Sequence, residues 1–106
     1  MSRIEQLEGF AQANTKDPFP RYGLALEYKN LGRLEDAARS FQELMRTFPD
    51  YIPSFLHAGA VLAELGRKDE ARAAYQAGIE VTTRKQDFHA RGELEAALAD
   101  LLSRST

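Results

Sequence analysis

Apolar positions along the chain recur at intervals of three and four, not two. Between 21 and 31 they are Tyr22, Leu24, Ala25, Leu26, Tyr28 and Leu31, a broad helical stripe. From Leu34 onward, Ala37, Ala38, Phe41, Leu44, Met45 and Phe48 share one helical face. Gly32, between the two runs, takes left-handed backbone without steric cost. Pro49 ends the second run because it cannot extend the hydrogen-bond ladder. The pattern then returns. Phe55, Leu56, Ala58, Val61, Leu62 and Leu65 form a third stripe, with Asp50 as its expected cap and Pro53 suited to its first turn. Gly66 breaks it, and Ala71, Ala74, Tyr75, Ile79 and Val81 line a fourth. A further helix is predicted at each end. Ser2-x-x-Glu5 reads as a capping box before Ile4, Leu7, Phe10 and Ala11, and Asn14 with Asp17-Pro18 is expected to close that helix. After a break at Arg84–Asp87, the last helix carries Phe88, Leu94, Ala97, Leu98 and Leu101. Six helices and no strand predict an all-α fold.

The chain also repeats itself. At an offset of 34, Asn30-Leu31-Gly32-Arg33-Leu34-Glu35-Asp36-Ala37-Ala38 falls on Glu64-Leu65-Gly66-Arg67-Lys68-Asp69-Glu70-Ala71-Arg72, and Phe41 falls on Tyr75. Each unit is a pair of helices. The expected organisation is a single domain over 1–106, made of an N-terminal helix (2–14), two units (18–51 and 52–85) and a capping helix (86–103). Two units are fewer than a stable stack usually needs, so the end helices are expected to supply the missing burial.

Composition narrows the function classes. The chain has 106 residues, 43% of them hydrophobic, and no cysteine, which excludes a disulfide framework, thiolate zinc sites and a cysteine nucleophile. Its formal net charge of −2 gives no electrostatic pull toward nucleic acid. No apolar run is long enough to span a bilayer. No apolar stretch follows Met1–Glu5 as a signal peptide requires, so a cytoplasmic location is expected.

Candidate chemistry is sparse. His57 and Glu64 could form an acid–base couple, but a groove-edge hydrogen-bonding role for His57 is the better expectation. His89 lies near Asp87, Arg91 and Glu93, too few ligands for a structural metal site. The pairs Glu35-Asp36 and Asp69-Glu70 fall in the first turn of a helix, where the macrodipole favours negative charge. Ser40, Ser54 and Ser103 have no His/Asp arrangement at a meaningful spacing. Arg84-Lys85 is too little for a nucleic-acid patch. No catalytic residue, cofactor or metal is expected.

A 34-residue helix–turn–helix unit with these residues resembles the tetratricopeptide repeat, over Pro18–Lys85. Leu24-Ala25 with Tyr28, and Phe55 with Ala58-Gly59 and Leu62, fit the family's first helix. Ala37 with Phe41, and Ala71 with Tyr75 and Gly78, fit its second. Arg21 and Leu44 depart from the pattern, and Thr83 stands where the first unit has Pro49, so the second unit's last helix is expected to run longer. The resemblance implies a non-catalytic scaffold whose first helices line a groove for a peptide or helix of another protein. The implied groove residues are Phe19, Tyr22, Leu26, Lys29 and Asn30 from the first unit and Leu56, His57, Ala60 and Glu64 from the second. Arg91 joins them if the register carries into the last helix, where Glu93 would occupy a site that wants a small residue. Members that clamp a chaperone's C-terminal carboxylate use Lys and Asn where this chain has Tyr22 and Leu26, so that ligand is not expected. An apolar or amphipathic partner segment fits better, with a homodimer whose groove is filled by a sister chain as the alternative.

Overall fold

The computed structural model describes residues 2–104 and contains six helices: α1 (Arg3–Ala13), α2 (Pro18–Asn30), α3 (Leu34–Thr47), α4 (Pro53–Glu64), α5 (Lys68–Lys85) and α6 (Phe88–Ser103). No strand occurs among the described residues. The helices gather into two compact units, one running through Tyr51 and the other beginning at Ile52.

In the first unit, the Ser2 hydroxyl accepts the Glu5 N–H at 3.1 Å and donates to the Glu5 carboxylate at 3.2 Å, so the predicted pair does start α1. Asn14 alone ends the helix. Its backbone N–H and side-chain amide both donate to the Phe10 carbonyl, at 3.0 and 2.9 Å. Asp17-Pro18, expected to close α1, instead opens α2. The Asp17 carboxylate accepts the Phe19 N–H at 3.0 Å, and Pro18 takes a first-turn position where no N–H is needed. α1 packs on α2, with Leu7 against Gly23 and an Arg3–Glu27 ion pair at 2.9 Å. α2 packs on α3 over a core of Ala25, Ala37, Ala38, Phe41 and Leu44, all at or below 1% exposure. Burying a ring such as Phe41 contributes about 2–3 kcal/mol. Leu44, larger than the resemblance implied for its site, is fully enclosed, and the Arg21 guanidinium lies 5.8 Å over the Phe48 ring. That contact gives Arg21 an aromatic surface where an apolar side chain was expected.

In the second unit, Ile52 holds the N-cap position of α4 with helical dihedrals and no side-chain cap bond. Asp50, the expected cap, stands two residues earlier. Pro53 follows as the first helical residue and has no N–H to satisfy. α5 reaches Lys85, 18 residues against 14 in α3, in line with Thr83 replacing a stopping proline. α5 packs on both α4 and α6, and two glycines set the spacing. A Cβ on Gly59 would press into the Tyr75 ring, and one on Gly78 would lie 2.7 Å from the Phe55 Cβ and 2.9 Å from a Leu94 methyl. Phe55, Ala58, Val61, Leu62, Ala71, Ala74, Tyr75, Val81, Leu94 and Leu101 complete this core.

Three of the joints share one chain reversal. Gly32 (φ 77°) and Gly66 (φ 78°) turn left-handed after α2 and α4, and Gln86 (φ 59°) does so after α5. Each is followed by an N–H that reaches back five residues at 2.9 Å: Arg33 to Tyr28, Arg67 to Leu62 and Asp87 to Thr82.

Candidate binding surface

The residues expected to bind fall into two sets, one on α2 and one on α4. On α2, Phe19 is 66% exposed, Asn30 is exposed, and Tyr22, Leu26 and Lys29 are half-buried. Tyr22 is held by its own unit: its ring meets Phe41 edge-on at 6.2 Å and Tyr51 at 5.5 Å. Burial pushes the Tyr22 hydroxyl pKa up. Burial raises that of Tyr51 as well, with Tyr22 and Asp17 adding to the shift. Tyr22 is thus part core and part surface.

On α4, Leu56, His57 and Ala60 are half-buried, and Glu64 is exposed at the helix end. Leu56 and His57 open on a hollow of about 310 Å³. Ile52 and Pro53 complete its α4 side. Leu94, Ala90, Glu93 and the N-cap residue Asp87 form the α6 side. Its floor is apolar, and its charged lining is carboxylate. The Asp87 carboxylate accepts the Ala90 N–H at 3.1 Å and so caps the start of α6. Glu93 meets the exposed His89 at 3.5 Å.

Ile52, Pro53, Asp87, Ala90, Glu93 and Leu94 line the hollow and were not among the expected binding residues. The 34-residue offset puts Glu93 on the site held by Gly59, so the repeat pattern fades as α6 begins. Glu93 nevertheless reaches the hollow because Leu94, its neighbour, takes the buried place against Gly78. Arg91 does not line the hollow and pairs with Glu95 at 3.5 Å.

The residues weighed for chemistry lie apart or in the first turns of helices. His57 and Glu64 are seven residues apart, about 10 Å of helix rise, and Glu64 lies outside the hollow. Both acidic pairs sit in first turns, where Asp36 meets Arg33 at 2.8 Å and Arg39 at 3.2 Å, and Asp69 meets Arg72 at 3.0 Å. Among the described residues, no group of three or more His, Asp or Glu could hold a metal ion, and no helix is long and apolar enough to cross a membrane.

The tetratricopeptide repeat model matches residues 21–51 and 52–83, more than half of the chain, and its internal boundary coincides with the boundary between the two units. A tetratricopeptide repeat domain protein of Salinibacter ruber is similar in both of its solved forms. The solution structure is 34% identical, with 84% of this chain and 90% of that one covered at a TM-score of 0.79. The crystal structure is 33% identical, with 85% and 100% covered, also at 0.79. A Bordetella parapertussis protein, 21% identical, shares the fold over 97% of this chain and 90% of its own at a TM-score of 0.80. No curated protein matches. Tetratricopeptide repeat domains bind other proteins or peptides and are typically non-catalytic scaffolds. With two consecutive repeat matches and a relative one third identical over most of its length, this chain belongs to the tetratricopeptide repeat family.

Proposed function

We propose that this chain is a non-catalytic interaction adaptor that takes an apolar or amphipathic segment of another protein on the outward faces of its first helices. Phe19, Tyr22, Leu26, Lys29 and Asn30 on α2 and Leu56, His57, Ala60 and Glu64 on α4 are the residues it would use. The observation that carries this reading is the hollow between α4 and α6, whose apolar floor lies open to an incoming side chain. At about 310 Å³ it sits at the low end of ligand pockets, which run from roughly 300 to 1,000 Å³. That suits one or two side chains better than a large cofactor. Exposed Phe19 adds an aromatic ring of the kind that anchors interfaces.

Affinity capture with the unaltered chain, Phe19→Ser and Leu56→Glu tests the reading, with circular dichroism confirming that each variant keeps its helicity. A partner held by the unaltered chain and lost from Leu56→Glu supports it. Identical captures by all three chains rule out these faces. Light scattering decides the sister-chain alternative: a dimer that Leu56→Glu dissociates means that the surface is already occupied.

A further inference from the structure

The hollow between α4 and α6 has a chemical preference of its own. The two helices carry Glu64, Glu93, Glu95 and Asp100, with Arg91 as their only Lys or Arg. Arg91 is engaged by Glu95, and Asp100 meets Arg104 at 3.0 Å. The basic residues Lys68, Arg72, Arg84 and Lys85 are all on α5, and none of them lines the hollow. The charged lining is thus Asp87 and Glu93, with His57 beside them, around Ile52, Leu56, Ala90 and Leu94. A carboxylate has more lone pairs than the single Ala90 N–H uses on Asp87.

We propose that this hollow selects a partner segment in which one apolar side chain is flanked by Lys or Arg. The apolar side chain would seat against Leu56, Ala90 and Leu94, and the cation would bond Asp87 and Glu93. The inference rests on the interaction reading above and adds the sign of the partner's charge. Cation–carboxylate bonds are stronger than neutral ones, and an acidic segment would meet like charge along the α6 side of the opening. The same apolar floor therefore discriminates between basic and acidic segments of equal hydrophobicity.

The test is a display library of random 16-residue peptides selected on the immobilised full chain. Three variants are run beside it. Glu93→Gln removes one charge. Asp87→Ser with Glu93→Gln removes both while leaving a side chain that still caps α6. Ala90→Phe fills the hollow. Circular dichroism and thermal melts confirm that all three fold. The expected result is an enriched set with an apolar anchor and an excess of Lys and Arg. Its binding should fall about tenfold with the double variant, as two part-exposed ion pairs allow, and should vanish with Ala90→Phe. Peptides that are neutral or acidic, yet lost with Ala90→Phe, would overturn the charge preference and leave the interaction reading standing. Peptides indifferent to Ala90→Phe, or no enrichment at all, would overturn both. A dimer that Ala90→Phe dissociates would make the occupant a second copy and overturn the basic-segment inference.

Discussion

Gly59 and Gly78 hold the closest approaches in the second unit, and alanine at either position sets two effects against each other. Replacing a helical glycine by alanine gains about 1 kcal/mol of backbone propensity. Overpacking a filled core costs about 1–3 kcal/mol. At Gly59 the new methyl would run into three Tyr75 ring carbons, and at Gly78 it would meet the Phe55 Cβ, which moves only with its backbone. Sterics should win at both sites, and thermal melts should show Gly59→Ala and Gly78→Ala lowering Tm by several degrees. Gly92, also in a helix, has nothing within 4 Å of its would-be Cβ, so Gly92→Ala should raise Tm by a few degrees. Ser54 offers a second gain. Its hydroxyl is fully buried with no hydrogen-bond partner, and Ser54→Ala should stabilise by about 1 kcal/mol in a urea titration. The small sites at Gly59 and Gly78 were legible through the family resemblance. The Ser54 hydroxyl was not, because no spacing rule reports what surrounds a side chain.

Helix ends show what the chain's punctuation did and did not reveal. Gly32 and Gly66 announced their reversals because glycine is the residue that occupies left-handed backbone without penalty. Gln86 makes the same reversal without that signal. A non-glycine residue there costs about 1–2 kcal/mol, so Gln86→Gly should raise stability and Gly66→Ala should lower it by a similar amount. Paired chemical denaturation curves would check both signs. Asp17-Pro18 was misread for a related reason. Asp-Pro is a stop for the segment before it and a start for the one after, and only the Asp17–Phe19 bond shows which role it plays. The α6 side of the hollow was hidden by one residue: Glu93 breaks the small-residue register that a repeat comparison looks for, while Leu94 keeps the packing. Of the four α4 residues that the resemblance named, Leu56 and His57 line the hollow, and Ala60 and Glu64 do not.

Across the whole chain, the tyrosines tie stability to pH. Burial raises the pKa of Tyr22, Tyr51 and Tyr75 above the usual value of 10.0. For Tyr75, Arg104 lowers it in part and Asp100 adds to it. A folded-state pKa above the unfolded one means that the stabilisation is complete below pH 10 and is lost as pH rises through the shifted values. Urea midpoints should therefore hold level from neutral pH to about 10 and fall beyond it. Tyr75→Phe should flatten that fall, and an unchanged slope would remove Tyr75 as a contributor. The one-domain expectation over residues 1–106 has its own measurement, amide exchange at buried Ala37 in the first unit and Ala71 in the second. Equal protection at the two positions under all denaturant concentrations supports a single cooperative domain, and separate values would divide the chain in two.

The glycine contacts also bear on how this protein can drift. Every missense change in a glycine codon installs at least a Cβ. At most buried positions a conservative class exists, so that leucine can give way to methionine or isoleucine with modest loss. At Gly59 and Gly78 that class is empty, since even the smallest replacement enters space held by Tyr75, Phe55 or Leu94. A lineage can vary exposed positions such as Phe19 or Glu93 one step at a time. It can change these two glycines only together with the side chains opposite them. The least variable positions of the second unit should thus be among its lightest, and the record of its ancestry is written in residues that have no side chain to compare.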